Sequence, residues 1–215
     1  MIYRPLKTNW ITQAYGENRA CIKTRVNGSI VYPTTIVSKN KVCPIGFKDF
    51  YKAIGYKGHT GQDNSAWHRE GIYFPADYVS KWYAMNEIDR DGGIGVDIIS
   101  ESPVLDGKHI KLRFWHLDAS LVYDGQSVVF GQKIGLAGNT GASSGTHLHW
   151  SMKFVDKDGQ TIDRDNGYAG AVDFAPYHDN VFVLDVLDLK EKALTVIDLG
   201  RKVIKEVQIF INKLK

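Results

Sequence analysis

Four histidines and one aspartate stand where they could hold a metal ion and move protons. His147 and His149 flank Leu148 in a segment of β-type composition, HLHW. Side chains alternate along a strand, so the two imidazoles point one way and Leu148 the other. Two adjacent imidazoles bring four ring nitrogens that need partners, which suits a hydrophobic core poorly. The preceding stretch, GNTGASSGT, is rich in Gly and Ser and leaves room for a substrate backbone to approach. His59 and Asp63 form an HxxxD pair, a spacing that puts both on one face of a helix or a strand; Gly58 and Gly61 argue against the helix. Imidazole nitrogen and carboxylate oxygen both bind Zn²⁺, at about 2.0–2.2 Å. His59, Asp63 and one of the paired histidines therefore make a three-ligand set with a fourth position open, as in catalytic rather than structural zinc sites. His116 ends an alternating segment, FWHL, and is the remaining candidate. Either pattern alone more often marks satisfied structural histidines; their joint occurrence is what points to a metal.

The elements that must position these residues read as β-structure. From Ile72 to Phe154, short β-type segments (IYFPA, GIGVDIIS, HIKLRFWHL, SVVFGQKIGLAG, THLHWSMKF) recur about every ten residues with glycine turns between them, as antiparallel domains do. Ile30 to Tyr32 and Thr34 to Val37 read as strands, and Phe47 to Ile54 as a short helix. DKDGQ and DRDNG read as hairpin turns, since neither supplies a calcium-loop start. Trp115 and Trp150 adjoin His116 and His149, and alternation turns each toward the core. His68 reads as a surface residue, and His109 and His178 as structural.

Composition narrows the functional classes. The 215 residues suit one domain with an appended element, and 43% hydrophobic content suffices for a core. A formal charge of +3 is too mild for a nucleic-acid binder. No run of about 18 apolar residues offers a membrane span. Cys21 and Cys43 are the only cysteines; two buried thiols are the preferred reading and one disulfide the alternative. Residues 186–215 change character: apolar positions at Ala193, Val196, Val203, Val207, Phe210 and Leu214 follow a 3,4 spacing, widened by Ile197, Ile204 and Ile211. One amphipathic helix is expected there, too broad on its apolar face to be left in water and available for self-association or a protein partner.

HxxxD, then a GIGV strand, WHL, GQxIGxxGNTGxSxG and HLHW closely resemble the lysostaphin-type (LytM) zinc endopeptidases, from about Gly58 to Phe154. TQAYGEN, residues 12–18, is similar to the segment that leads into such domains. The resemblance implies a mainly β, antiparallel fold with an active-site groove: 1–55 as the N-terminal lead-in, 56–180 as the metallopeptidase core and 186–215 as the C-terminal helix. It implies one Zn²⁺ held by His59, Asp63 and His149, with His116 and His147 handling protons and transition-state charge. It further implies an enzyme at the bacterial cell wall that hydrolyses peptidoglycan peptides, D-alanyl cross-links being favoured over glycine bridges. The N-terminus, MIYRPLKTNW, is not a signal peptide, so delivery by phage is expected, with a mature bacterial autolysin as the alternative. A degenerate, partner-binding LytM domain would have lost some of these five residues; all five are filled. Departures from the pattern are the polar Asn64-Ser65 after the aspartate and the long WYAMNEIDRDGGIG connection.

Overall fold

The computed structural model describes residues 1–18, 20–24, 30–37, 43 and 45–213. Among them the dominant element is a ten-stranded sheet. Its main path runs from Ser127–Val128 through Trp82–Asp89, Gly93–Ser100, His109–Ser120 and His147–Val155 to Gln62–Ser65 and Ile11–Gln13. Neighbouring strands along this path are antiparallel. The expected mainly β, antiparallel class is the one observed.

Period-two alternation gives the sheet two unlike faces. Ile110, Leu112 and Phe114 share one face with Leu148, Trp150 and Met152, and all six are fully buried. Ile2, Leu6, Ile72, Phe74 and Trp82 close over them. Each such side chain contributes about 1.5–3 kcal/mol on burial, so this face holds the fold together. The opposite face carries Lys111, Arg113 and Trp115, in register with Lys153, Ser151 and His149; His149 is in turn in register with Asp63. The chemistry lies on the polar side of a sheet whose other side is the core.

A smaller sheet joins Ala20–Thr24 to Ile30–Val37 and to Phe47–Asp49. The expected helix over Phe47 to Ile54 is thus a strand that turns helical only at Phe50–Ala53, where the Asp49 side chain accepts a bond from the Lys52 N–H. Cys21 and Cys43 are disulfide-bonded, with Cα atoms 5.6 Å apart. This corrects the preference for two thiols: counting cysteines carries no information on whether the chain brings them together.

The C-terminal helix spans Val183–Lys213, 31 residues, or about 46 Å at 1.5 Å per residue. Only its first turns dock. Leu184 and Leu187 pack on Gly131, and Lys190 pairs with Asp77 and lies over the Phe130 ring. Beyond them Leu194, Val196, Ile197, Leu199, Val203, Ile204 and Val207 remain exposed.

Candidate metal centre and its groove

Two strands and one loop converge on a single point. His59 comes from the loop before Gln62–Ser65, Asp63 from that strand, and His149 from the adjacent His147–Val155. His59 Nε2 lies 3.0 Å from His149 Nδ1 and 3.1 Å from Asp63 Oδ1, and His149 Nδ1 lies 2.9 Å from the same oxygen. His59 Nδ1 donates to the Ala14 carbonyl at 3.1 Å, which holds the ring with Nε2 turned inward. Three ligand atoms thus face one another over distances that ligands sharing a tetrahedral metal would have. Burial alone would raise the Asp63 carboxyl, but the charge of His59 and hydrogen bonds from His149 and His59 outweigh it and hold it well below the carboxylate range. Burial pushes His149 down to about 4 despite the pull of Asp63. An anionic carboxylate and a neutral imidazole are the forms that bind a cation, so the donor set fits one divalent ion with N and O preferences, zinc foremost.

The other two candidate histidines stand beside this set with their free nitrogens aimed at it. His116 Nδ1 donates to the Thr140 carbonyl at 2.8 Å, and His147 Nδ1 donates to that of Gly145 at 2.7 Å. Their rings lie 4.7 Å apart, and His147 Nε2 is 3.7 Å from Asp63 Oδ1. Burial first, and then the charge of His147, lowers the His116 pKa, so His116 is neutral and able to accept a proton near pH 7. His116 has φ 61°, at a register break between Phe114 and Leu117. That kink brings His116 toward the centre although it follows Trp115, which shares the His149 face.

Trp115 therefore differs from expectation. It does not turn into the core; its ring stacks on His149 at 5.6 Å and carries the Arg113 guanidinium 4.6 Å from its centre. Alternation was broken by the same kink. The ring lies flat over Gly92 and Gly95, where an added Cβ would approach it to 2.5 and 2.4 Å, so both glycines make room for it. Trp150 is in the core as expected, bonding Asn64 through its indole N–H. That bond, with Gln62 to Asn64, accounts for the polar residue after the HxxxD aspartate. His68 is exposed near Asp118, His109 bonds the Ser100 carbonyl, and His178 packs on Trp150 and Phe174. No residue pattern pointed to the Ala14 carbonyl as the anchor of His59, nor to Tyr51, whose ring lies 5.7 Å from His59.

The sheet thus carries a His–Asp–His cluster able to hold one metal ion, flanked by two further histidines. The model of peptidase family M23 matches residues 85–164. That match includes His116, His147 and His149; His59 and Asp63 lie before it. An uncharacterized metalloprotease of Haemophilus influenzae is 35% identical over 94 residues, covering 44% of this chain and 18% of that protein. The peptidoglycan DD-endopeptidase ShyA of Vibrio cholerae is 48% identical over 46 residues, covering 21% of this chain and 11% of that protein. Among solved structures, the catalytic domain of lysostaphin from Staphylococcus simulans is similar with a TM-score of 0.43 and 23% identity, covering 56% of this chain and 79% of that one. The chain thus spans less than a fifth of the length of either curated relative.

Proposed function

We propose that this chain is a zinc-dependent endopeptidase of bacterial peptidoglycan, acting on D-alanyl stem-peptide cross-links. The observation that carries the reading is the convergence of His59 Nε2, Asp63 Oδ1 and His149 Nδ1 within about 3 Å of one another, beside two histidines with free Nε2 atoms. The similarity to a peptidoglycan DD-endopeptidase supports the substrate. We take residues 56–180 as the metallopeptidase core, 1–55 as its lead-in, and 186–215 as an appended helix. Action at the cell wall follows from the substrate. Delivery by phage, and a second copy or another protein on the helix, belong to the same reading.

His59, Asp63 and His149 would hold one zinc ion, which when bound supplies Lewis-acid activation of a water and of the scissile carbonyl. His116 and His147 then act at their Nε2 atoms: one takes a proton from the attacking water, and the other donates to the developing oxyanion or the leaving amine. Their Nδ1 bonds to backbone carbonyls turn both Nε2 atoms toward the site: a neutral ring held so accepts the water's proton at Nε2, and a protonated ring donates from it. Trp115 backs the His149 ring and keeps water from its buried side.

The test is metal content and sacculus digestion on ligand and proton-transfer variants. Asp63→Ala and His149→Ala are expected to lose the zinc. His116→Ala and His147→Ala are expected to keep it and to lose on the order of 10²-fold or more in rate. Full digestion by protein verified to be metal-free would overturn the mechanism. Mass spectrometry of the new termini reads the bond that is cut.

A further inference from the structure

The C-terminal helix leaves the domain with its apolar stripe turned away from it. Each residue advances the helix by about 100°, so Leu184, Leu187 and Lys190, which meet Gly131, Phe130 and Asp77, form one side. Leu189, Val196, Val203 and Val207 form nearly the opposite side, and all four are at least half exposed. Ile197 and Ile204 border the stripe along one edge, and Lys192, Leu199 and Glu206 along the other. The remaining surface suits lipid poorly. Helices that lie on membranes carry a polar face rich in Lys and Arg, whereas Val183 to Ile209 holds five acidic and five basic residues. Lys202 is moreover paired with Asp198 one turn before it.

We propose that this helix pairs antiparallel with the same helix of a second copy of the chain, about a two-fold axis level with Asp198. In that register Leu189 of one copy meets Val207 of the other, Ala193 meets Val203, and Val196 meets Gly200, each pair being made twice. Small residues thus stand opposite branched ones, and the space around Gly200 is open for the incoming valine. Along the mixed edge Lys192 meets Glu206 twice and Leu199 meets its own copy, so the charges of the two helices are complementary. Other arrangements lose this match. Sliding by one heptad sets Asp185 against Glu206 in one direction and Glu206 against Leu199 in the other. A parallel pair stacks Ala193 on Ala193 and Gly200 on Gly200, which hollows the seam, and it turns Lys192 onto Ile197. Some 30 residues of helix separate the two docked ends, so the two domains stand about 45 Å apart at opposite ends of the pair. The proposal rests on the reading of the helix as an association surface and narrows it to one occupant and one geometry. It is independent of the peptidoglycan chemistry, because its test reads association rather than hydrolysis.

The test uses the full chain, with substitutions confined to exposed helix positions where folding of the domain is not at stake. Sedimentation equilibrium between about 1 and 100 µM is expected to show a dimer that dissociates on dilution. Glu206→Lys should weaken it about fivefold or more by setting like charges together twice, and adding Lys192→Glu should restore it. Orientation is read by mild oxidation of Ala193→Cys and Val203→Cys chains. Mixed, they are expected to form the disulfide between positions 193 and 203, whereas each alone should stay uncrosslinked. Cross-linking of each variant to itself marks a parallel pair and overturns the geometry, as does a dimer constant unchanged by Glu206→Lys. A monomer throughout overturns the second copy, and flotation of that monomer with phosphatidylglycerol–phosphatidylethanolamine vesicles would give the face to lipid instead.

Discussion

The two ring nitrogens of His149 have opposite surroundings. Nδ1 faces Asp63 and His59, whereas Nε2 is buried without a hydrogen-bond partner, against Gly61. An added Cβ at Gly61 would come 2.8 Å from that nitrogen and 2.5 Å from the Trp150 carbonyl. Gly61→Ala should therefore shift the ring and weaken zinc binding by about 10-fold or more without removing a ligand, the size typical of changes just behind the ligands; competition with a chromophoric chelator measures it. His178 is half-buried, its Nε2 is enclosed without a partner among the described residues, and burial lowers its pKa to about 4. A depressed histidine stabilises the fold fully above its unfolded value near 6.5, and that contribution is lost as pH falls toward 4. His178→Phe should flatten the fall in urea midpoint between pH 6.5 and 4.5 relative to wild type; parallel curves would exclude the residue as a source of acid sensitivity. At this scale the sequence was most legible where spacing fixes a face. The HxH pair needed only strand alternation to be placed on one face, whereas His59 reaches Asp63 from a loop ahead of its strand. The Ala14 anchor and the Tyr51 neighbour were not legible, because both depend on loops folding back from outside the sheet.

The paired strands Gly93–Ser100 and His109–Ser120 carry the buried Arg113–Asp97 ion pair of the polar face. Removing one partner of a buried pair typically costs about 3–5 kcal/mol, because the other charge is left uncompensated. Asp97→Ala should fall in that range by equilibrium denaturation, more than Glu87→Ala, whose carboxylate is partly exposed. The antiparallel strands themselves were legible from the period-two pattern and the glycine turns. Trp115 was misplaced because a register break at His116 cannot be seen in alternation. The Phe47 to Ile54 segment was misread for its first half because pairing with Ala20–Thr24 overrides a weak local helix preference.

For the molecule as a whole, the C-terminal helix is the part its own domain does not cover. Its 3,4 pattern was readable because helix periodicity survives without tertiary context, but what it meets was not. Deleting residues 191–215 removes the exposed apolar turns and keeps the Lys190–Asp77 contact. The shortened protein should retain its zinc and its rate on small peptides, and should show a lower mass per particle by light scattering than the loss of 25 residues accounts for. If both forms scatter as monomers, a different protein rather than a second copy is the partner of this face.

The strand Ile2–Arg4 lies parallel to His178–Phe182, and Ile2 and Leu6 sit fully buried in the core. The beginning of the chain is thus sealed against a strand that is made only after some 175 further residues. Ala14, His59, Asp63, His116 and His149 are spread over the same span. A growing chain emerging from the ribosome cannot seal its first residues into the core until that late strand is out, and pairings so distant are slow to form. Order of synthesis itself then delays assembly: a chain interrupted before residue 178 lacks the strand against which its beginning is paired.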